Sequence, residues 1–155
     1  MTWLGVDLGN ARVGLALSDP EETMAHPAGN IQAYGDYLMT VDDVLDVIED
    51  EHVTRVVVGL PLELDGREGP SARKARRWTS ELIHALGDEV RDPASGINVM
   101  PDVTLLDERL TTVDSHRMLF DANVDSRKHR AMIDQQSAVV ILQTALDSAR
   151  QNEEQ

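Results

Sequence analysis

The stretch WLGVDLGNARVGLALSD, residues 3–19, decides the fold. It contains two short runs rich in Val, Leu and Gly, which are separated by the turn-forming pair Gly9 and Asn10. Short apolar runs on either side of such a turn predict a β-hairpin. A third strand is expected in TMAHPAGNIQ, residues 23–32, so that the chain opens with a three-stranded antiparallel meander.

Helical and strand patterns alternate after the meander. Apolar residues recur at spacings of three and four over residues 36–51, which is typical of an amphipathic helix. TRVVVGLPL, residues 54–62, is a continuous β-branched run of the kind found in strands that are buried on both faces. The next segment, LDGREGP at residues 64–70, is predicted to be a loop because Asp-Gly and Gly-Pro are turn dipeptides.

The second half of the chain repeats this alternation. We expect a helix over residues 71–86, with Trp78 and Ile83 on its inward face. VTLLDE, residues 103–108, has the composition of a third buried strand. Two further helices are expected, over residues 111–120 and 131–150.

This order of elements predicts a single α/β domain over residues 1–150. A meander followed by βαβ units gives a mixed five-stranded sheet, with a three-stranded antiparallel meander plus two parallel strands and helices on both faces. The first strand lies centrally in this sheet, beside the parallel strands. Residues 151–155, QNEEQ, are expected to form a disordered C-terminal tail.

The composition narrows the functional class. A chain of 155 residues with 41% hydrophobic content can bury one core. No run of about 18 apolar residues could span a bilayer, and the first residues enter a strand pattern directly, without a secretory leader. The absence of cysteine excludes disulfides, thiolate zinc sites and a Cys nucleophile. These features predict a cytoplasmic protein with no membrane partner, in which any metal is held by oxygen or imidazole.

The charge is uneven along the chain. The net charge of −14 disfavours nucleic-acid binding, which depends on Lys and Arg. Residues 1–54 contain 11 acids and one base, however, whereas residues 55–155 contain 17 acids and 13 bases. Local basic patches can therefore still hold a phosphate backbone. The candidate nucleic-acid-binding bases are Arg12, Arg67, Arg73, Lys74, Arg76, Arg77, Arg109, Arg127, Lys128 and Arg130.

Three carboxylates fall where open α/β sheets place their sites. Asp7 lies in an apolar strand, where an unpaired charge is costly, and Glu108 lies at the end of VTLLDE. Asp134 opens the last predicted helix, on the same stripe as Ala138 and Ile141. Each carboxylate also has a structural alternative: Asp7 can cap the hairpin turn, Glu108 can cap the next helix, and Asp134 can complement a helix dipole.

The residues around Glu108 leave further alternatives open. Since side chains alternate along a strand, only one of Asp107 and Glu108 can point the same way as Asp7. Arg109 can pair with that carboxylate or hold a phosphate bidentately. One of the two threonines that follow can supply the N-cap of the next helix, which frees Glu108 for chemistry.

The three carboxylates together favour a metal site. Converging carboxylates repel one another unless cations neutralise them, and oxygen-only ligands suit Mg²⁺ or Mn²⁺. Two such ions about 4 Å apart can generate a hydroxide and stabilise the leaving oxygen of a phosphoryl displacement. The five histidines show no zincin pairing that would offer a rival site. The residues therefore predict a phosphodiesterase with Asp7, Glu108 and Asp134 as catalytic metal ligands.

Four ordered motifs carry a resemblance to a known family: GVDLGNARVGLALSDP, VVVGLPLELDGREGP, LLDERLTT and IDQQSAVVILQ. From about residue 4 to residue 146, the chain resembles the YqgF family, also called RuvX, of Holliday-junction-resolvase-like pre-16S rRNA nucleases. The resemblance implies an RNase H-like fold, with Asp7, Glu108 and Asp134 as catalytic metal ligands. It also implies trimming of the 5′ end of precursor 16S rRNA, with cleavage of branched DNA as the other family proposal. Glu63 stands where the family commonly has Asn, and it adds negative charge near the site.

The resulting hypothesis is a metal-dependent endonuclease in ribosome biogenesis, acting on structured precursor 16S rRNA as a monomer or weak homodimer. A Holliday junction resolvase acting on branched DNA keeps the same chemistry, and a C2 dimer would favour it. A non-catalytic RNA-binding or transcription-associated module is expected if the carboxylates do not converge. DLGNARVG also resembles the phosphate loop of actin-like sugar kinases and ATPases, but those proteins need a second lobe, for which 155 residues leave no room.

Overall fold

The computed structural model describes the backbone of residues 1–111 and 126–153, and the side chains of residues 1–111 and 135–153. The strands are β1 (Thr2–Leu8), β2 (Arg12–Ser18), β3 (Ala25–Gln32), β4 (Val53–Leu60) and β5 (Asp102–Asp107). The α-helices are α1 (Thr40–Asp50), α2 (Pro70–Arg91) and α3 (Ser126–Glu153), and short 3₁₀ helices cover Tyr37–Met39 and Glu108–Leu110.

The five strands form one mixed sheet in the order β3-β2-β1-β4-β5. The pairs β1–β2 and β2–β3 are antiparallel, whereas β1–β4 and β4–β5 are parallel. The predicted meander plus two parallel strands is therefore confirmed, with β1 in the centre. In the register of the sheet, Asp7 pairs with Gly14 of β2, and Val6 pairs with Val58 of β4.

The sheet buries a separate apolar cluster on each face. On one face Val6, Val56 and Val58 pack with Trp78 and Ile48, which belong to α2 and α1. On the other face, the helix α3 supplies most of the cluster, together with one residue each from β1, β2 and β4; its members are Trp3, Ala16, Val57, Ala138, Ile141, Leu142 and Leu146. Because side chains alternate along a strand, Asp7 shares the α3 face with Trp3.

Helix α3 is fastened to the sheet by close packing and by one bridging side chain. A Cβ on Gly5 would lie 2.8 Å from the Ala138 carbonyl oxygen, so only glycine lets the helix approach β1 this closely. The amide of Gln143 accepts a hydrogen bond from the Ala25 backbone N–H at 2.9 Å and donates one to the Thr23 carbonyl at 3.0 Å. The last helix is thereby tied to the start of the edge strand β3.

Three elements differ from the prediction. Ile83 is 42% exposed and does not face inward. The buried stripe of α2 runs through Trp78, Thr79 and Leu82, and Ile83 lies about 100° around the helix from Leu82. Strand β5 is half-buried, not fully buried, because it forms one edge of the sheet. The first helix is also shorter than predicted, since residues 37–39 form a 3₁₀ turn.

Two other predictions concern the C-terminal third. Residues 112–120 of the helix predicted over 111–120 lie outside the described residues. Helix α3 begins at Ser126 and continues to Glu153, three residues into the segment predicted as a tail. No helix in the described part of the chain combines the length and apolarity needed to cross a membrane.

Candidate active site

Asp7 and Glu108 meet at the carboxyl edge of the parallel strands. Asp7 lies near the end of β1, and Glu108 follows directly after β5, with β4 between them. The side chain of Glu108 crosses over Gly59 of β4, where an added Cβ would lie 2.5 Å from Glu108 Oε1. It reaches Asp7, and the two carboxyl groups share a hydrogen bond. The predicted convergence of these two acids is therefore present in the structure.

The environment of Glu108 favours its neutral form. Burial raises the pKa of Glu108, and the nearby charge of Asp107 raises it further, while the hydrogen bond with Asp7 acts in the opposite direction. A hydrogen bond between two carboxyl groups requires a proton on one of them, since two adjacent carboxylates cannot both be charged without a compensating cation. Asp7 and Glu108 therefore form a partly buried pair of acids in which the neutral form of Glu108 is favoured.

Asp107 points away from this pair and pairs with Arg109. Its carboxylate accepts the Arg109 backbone N–H at 2.9 Å, which caps the 3₁₀ helix, and it lies 2.6 Å from Arg109 Nη2. These hydrogen bonds from Arg109 lower the pKa of Asp107. One of the two roles predicted for Arg109, pairing with the carboxylate on the Asp7 side, is not found, because Asp107 and Glu108 lie on opposite sides and the guanidinium pairs with Asp107. Arg109 Nη1 also donates to the Leu64 carbonyl at 3.4 Å.

Lys74 brings a positive charge close to Asp7. Its Nζ donates to the Gly9 carbonyl at 3.2 Å and lies 3.9 Å from the centroid of the Tyr37 ring. The Tyr37 hydroxyl donates to the same carbonyl. Partial burial lowers the pKa of Lys74, and the charge of Asp7 partly opposes that shift. Two side chains from separate elements thus hold the turn that immediately follows Asp7.

The other predicted bases differ in whether a carboxylate pairs with them. Arg67 pairs with Asp65 at 2.6 Å, Arg76 pairs with Glu68, and Arg109 pairs with Asp107. Within the described part of the chain, the exposed side chains of Arg73 and Arg77 on α2 form no hydrogen bond or ion pair, and Arg12 is half-buried on β2. The side chains of Arg127, Lys128 and Arg130 lie outside the described residues.

The predicted third ligand is Asp134. The backbone of Asp134 belongs to α3, but its side chain lies outside the described residues. Among residues 1–111 and 135–153, no group of three or more acidic or imidazole side chains is positioned to hold a metal ion. Asp7 and Glu108 themselves supply the hard oxygen donors that Mg²⁺ and Mn²⁺ prefer. Their roles as metal ligands stay predictions.

Sequence reasoning missed two residues that shape the site. Gly59 gives Glu108 room to reach Asp7, and its only signal was a glycine at the end of a β-branched run. Tyr37 holds the turn at Gly9 from 28 residues away, and no local pattern indicates such a contact.

The order of the strands and the two acids at the carboxyl edge of the sheet indicate the fold class of this protein. A chain-length similarity supports it: the structure described as "T. thermophilus RuvC in complex with Holliday junction substrate" superposes with a TM-score of 0.57 at 15% identity, covering 98% of this chain and 96% of that one. At this identity the similarity establishes the fold alone, which is RNase H-like.

Sequence comparison identifies the family. Residues 1–148 match the family model described as "RuvX: Holliday junction resolvase", and the chain belongs to this RuvX, or YqgF, family. A protein named "Putative pre-16S rRNA nuclease" from Bifidobacterium longum subsp. infantis is 64% identical over 151 residues, covering 97% of this chain and 100% of the relative. Its namesake from Bifidobacterium adolescentis is 61% identical with the same coverage. The chain is thus a member of a nuclease family.

Proposed function

We propose that this protein is a divalent-metal-dependent endonuclease that hydrolyses phosphodiester bonds at the Asp7–Glu108 pair. The observation that carries the proposal is the hydrogen bond shared by these two carboxyl groups at the edge of an RNase H-like sheet. A protein gains no obvious stability from two acids in a partly buried position, since burial opposes their charge. Such a pair is expected where a cation is to be bound, and membership of a nuclease family supports the same conclusion.

The chain's own residues have separate roles in this proposal. Asp7 and Glu108 would hold Mg²⁺ or Mn²⁺ as two ions, with Asp134 as a further ligand. When bound, the ions would neutralise the carboxylates, activate water and stabilise the leaving oxygen. Gly59 keeps the path of Glu108 open, and the Lys74–Gly9 contact fixes the turn beside Asp7. Asp107 keeps Arg109 beside the loop at Leu64.

We propose the 5′ end of precursor 16S rRNA as the substrate, in the cytoplasm during ribosome biogenesis. The names of the relatives support this choice, because two proteins more than 60% identical over nearly the whole chain carry the name of a pre-16S rRNA nuclease. Cleavage of a four-way DNA junction is the second candidate, and the description of the matching family model favours it. A side-by-side assay on the two substrates decides between them, and a C2 dimer would favour the junction, whose two symmetric strands are cut together.

The first prediction concerns Asp7 and Glu108. In a precursor rRNA cleavage assay with Mg²⁺ or Mn²⁺, Asp7→Asn and Glu108→Gln should each lose about 100-fold or more of the rate, because metal-assisted catalysis contributes several kcal/mol. Mn²⁺ binding, followed by calorimetry without substrate, should weaken in the same variants. Equal cleavage and equal Mn²⁺ affinity in wild type and Asp7→Asn would exclude the metal assignment.

A matched control for this experiment is Asp102→Asn. Asp102 is an exposed acid at the opposite end of β5, where it pairs with Arg55 at 3.4 Å. The variant removes one negative charge from the same strand that leads to Glu108, and it should cleave and bind Mn²⁺ like wild type. A loss in Asp102→Asn equal to that in Glu108→Gln would indicate a general charge effect.

A further inference from the structure

A small pocket lies beside the proposed active site, between the 3₁₀ turn after β3 and the first half of α2. It has a volume of about 180 Å³, and Asp36, Tyr37, Lys74, Arg77 and Trp78 contribute to its lining. Lys74 also contacts the Gly9 carbonyl, two residues beyond Asp7. The pocket and the acidic pair are therefore connected through one lysine and one turn.

Two cations converge on this pocket. Lys74 and Arg77 are three residues apart on α2, a spacing that puts them on the same helix face. Neither is held by a carboxylate among the described residues: Lys74 Nζ contacts a backbone carbonyl and an aromatic ring, and the Arg77 guanidinium forms no ion pair there. An ammonium group has three donors, so Lys74 keeps donor capacity beyond the Gly9 bond.

Arg77 differs from two nearby arginines, which are both paired with carboxylates. Arg76, the adjacent residue, is paired with Glu68, and Arg67 is paired with Asp65. A chain with a net charge of −14 has many acids to pair with, yet the cation at the pocket has no such partner in the described part of the chain. Asp36, the one acid in the lining, uses an oxygen to accept the Leu38 N–H at 3.0 Å and so caps the turn.

We infer that this pocket is a phosphate subsite, which holds a phosphodiester of the substrate strand next to the bond that is cut. Lys74 and Arg77 provide the charge-assisted donors that phosphate oxygens require. Tyr37 positions the lysine through its ring, and the shared contacts at Gly9 keep the subsite at a fixed distance from Asp7. The inference rests on the proposed nuclease function and extends it to the part of the strand beside the cleavage point.

The test compares two adjacent arginines that carry the same charge on the same helix. Full-length Arg77→Gln and Arg76→Gln are titrated against a fluorescein-labelled single-stranded RNA of 12 nucleotides in EDTA, by fluorescence polarisation. Arg77→Gln should raise Kd roughly threefold to tenfold and make the slope of log K against log salt shallower by about 0.7, because one phosphate contact is lost. Arg76→Gln should bind like wild type. Equal effects in the two variants, or none in Arg77→Gln, would overturn the subsite.

The same variants separate this inference from the proposed function. With Mg²⁺ and substrate below KM, Arg77→Gln should cleave roughly threefold to tenfold more slowly than Arg76→Gln, because it loses one phosphate contact while the acidic pair stays intact. Normal binding by Arg77→Gln together with wild-type cleavage would remove the subsite and leave the nuclease standing, whereas wild type that neither binds nor cleaves would overturn both. A DNA strand of the same sequence should show the same loss in Arg77→Gln, because phosphate is common to both strands; a loss confined to RNA would contradict a phosphate contact.

Discussion

Glu108 is subject to opposing demands. Its carboxyl group is partly buried, adjacent to Asp7 and close to the charge of Asp107, so folding disfavours its ionised form. Metal binding would require that ionised form. Without a cation, the ionised form of Glu108 therefore lowers the free energy of unfolding, and protonation of Glu108 relieves part of that cost.

The pH dependence of stability should report this conflict. Because burial raises the pKa of Glu108 above its ordinary value of 4.5, the folded protein retains a proton that the unfolded chain has lost. The folded state then binds more protons, so the free energy of unfolding falls as pH rises from 4.5 through the raised pKa. In Glu108→Gln this contribution is absent, and urea unfolding in EDTA should show a smaller decline between pH 4.5 and 7 than in wild type.

A matched control for the pH series is Glu81→Gln, an exposed position on α2. It removes a carboxyl group that does not contact the site, and its decline with pH should follow wild type. A Glu108→Gln curve parallel to wild type across the whole range would show that folding does not raise the pKa of Glu108.

At the scale of elements, the site depends on how closely three layers approach. Gly59 of β4 lies between Glu108 and the α3 residue Ile141, whose Cδ1 would be 2.6 Å from an added Cβ. Gly5 plays the corresponding part between β1 and Ala138. The two glycines therefore fix the spacing of helix α3, the sheet and the Glu108 carboxyl group.

Gly59→Ala should consequently damage stability and the site together. The added methyl group displaces Glu108 or Ile141, which we expect to cost about 1–3 kcal/mol in the free energy of unfolding and to reduce cleavage strongly. Urea denaturation and the rRNA assay measure the two effects. Gly87→Ala on α2 is the control: its nearest contact would be 3.5 Å away, at Arg91 Nη1, and it should stabilise the protein by about 0.5–1 kcal/mol. Full cleavage by Gly59→Ala would show that the close approach is not needed.

The elements also show what sequence can and cannot predict. The hairpin, the β-branched strand β4 and the convergence of Asp7 with Glu108 follow from local periodicity and from strands that end at one edge. The exposure of Ile83 and of β5 depends on which elements pack beside them in the fold, and the amino-acid composition of a segment does not indicate its neighbours. The contacts of Tyr37 with Gly9 and of Arg109 with Asp107 depend on rotamers and packing, so no spacing in the sequence indicates them.

At the scale of the whole molecule, the strongly acidic chain limits how it can hold a nucleic acid. Of the ten predicted bases, Arg67, Arg76 and Arg109 are paired with carboxylates. Arg73, Lys74 and Arg77 lie together on α2, and none of them forms a direct ion pair with a carboxylate among the described residues. Binding should therefore be concentrated on this helix, beside the acidic pair.

The salt dependence of RNA binding measures how many bases contact phosphate, and therefore how far binding is confined to α2. Each phosphate contact on a single strand contributes a slope of about −0.7 to log K against log salt. We expect a slope between about −2, if only the three α2 bases bind, and about −5, if Arg12, Arg127, Lys128 and Arg130 also contribute. A slope near −7 would mean that all ten bases bind phosphate and that the ion pairs on Arg67, Arg76 and Arg109 open. Polarisation titrations of a single-stranded RNA across a salt series, in EDTA, give the value.

The bridge from Gln143 to the start of β3 has a consequence for the order of folding. Gln143 is 118 positions from Ala25 and 120 positions from Thr23 along the chain. The meander, in contrast, is built from strands that follow one another directly. Contacts between distant residues carry a large loop-closure cost and form slowly, so the meander can assemble before α3 docks. In a refolding experiment with pulsed hydrogen exchange, amides of β1 and β2 should gain protection ahead of those in α3. Helix α3, whose Ile141 lies beside Gly59 as Glu108 does, would then dock last, and the carboxyl pair would pass through a hydrated stage before it becomes buried.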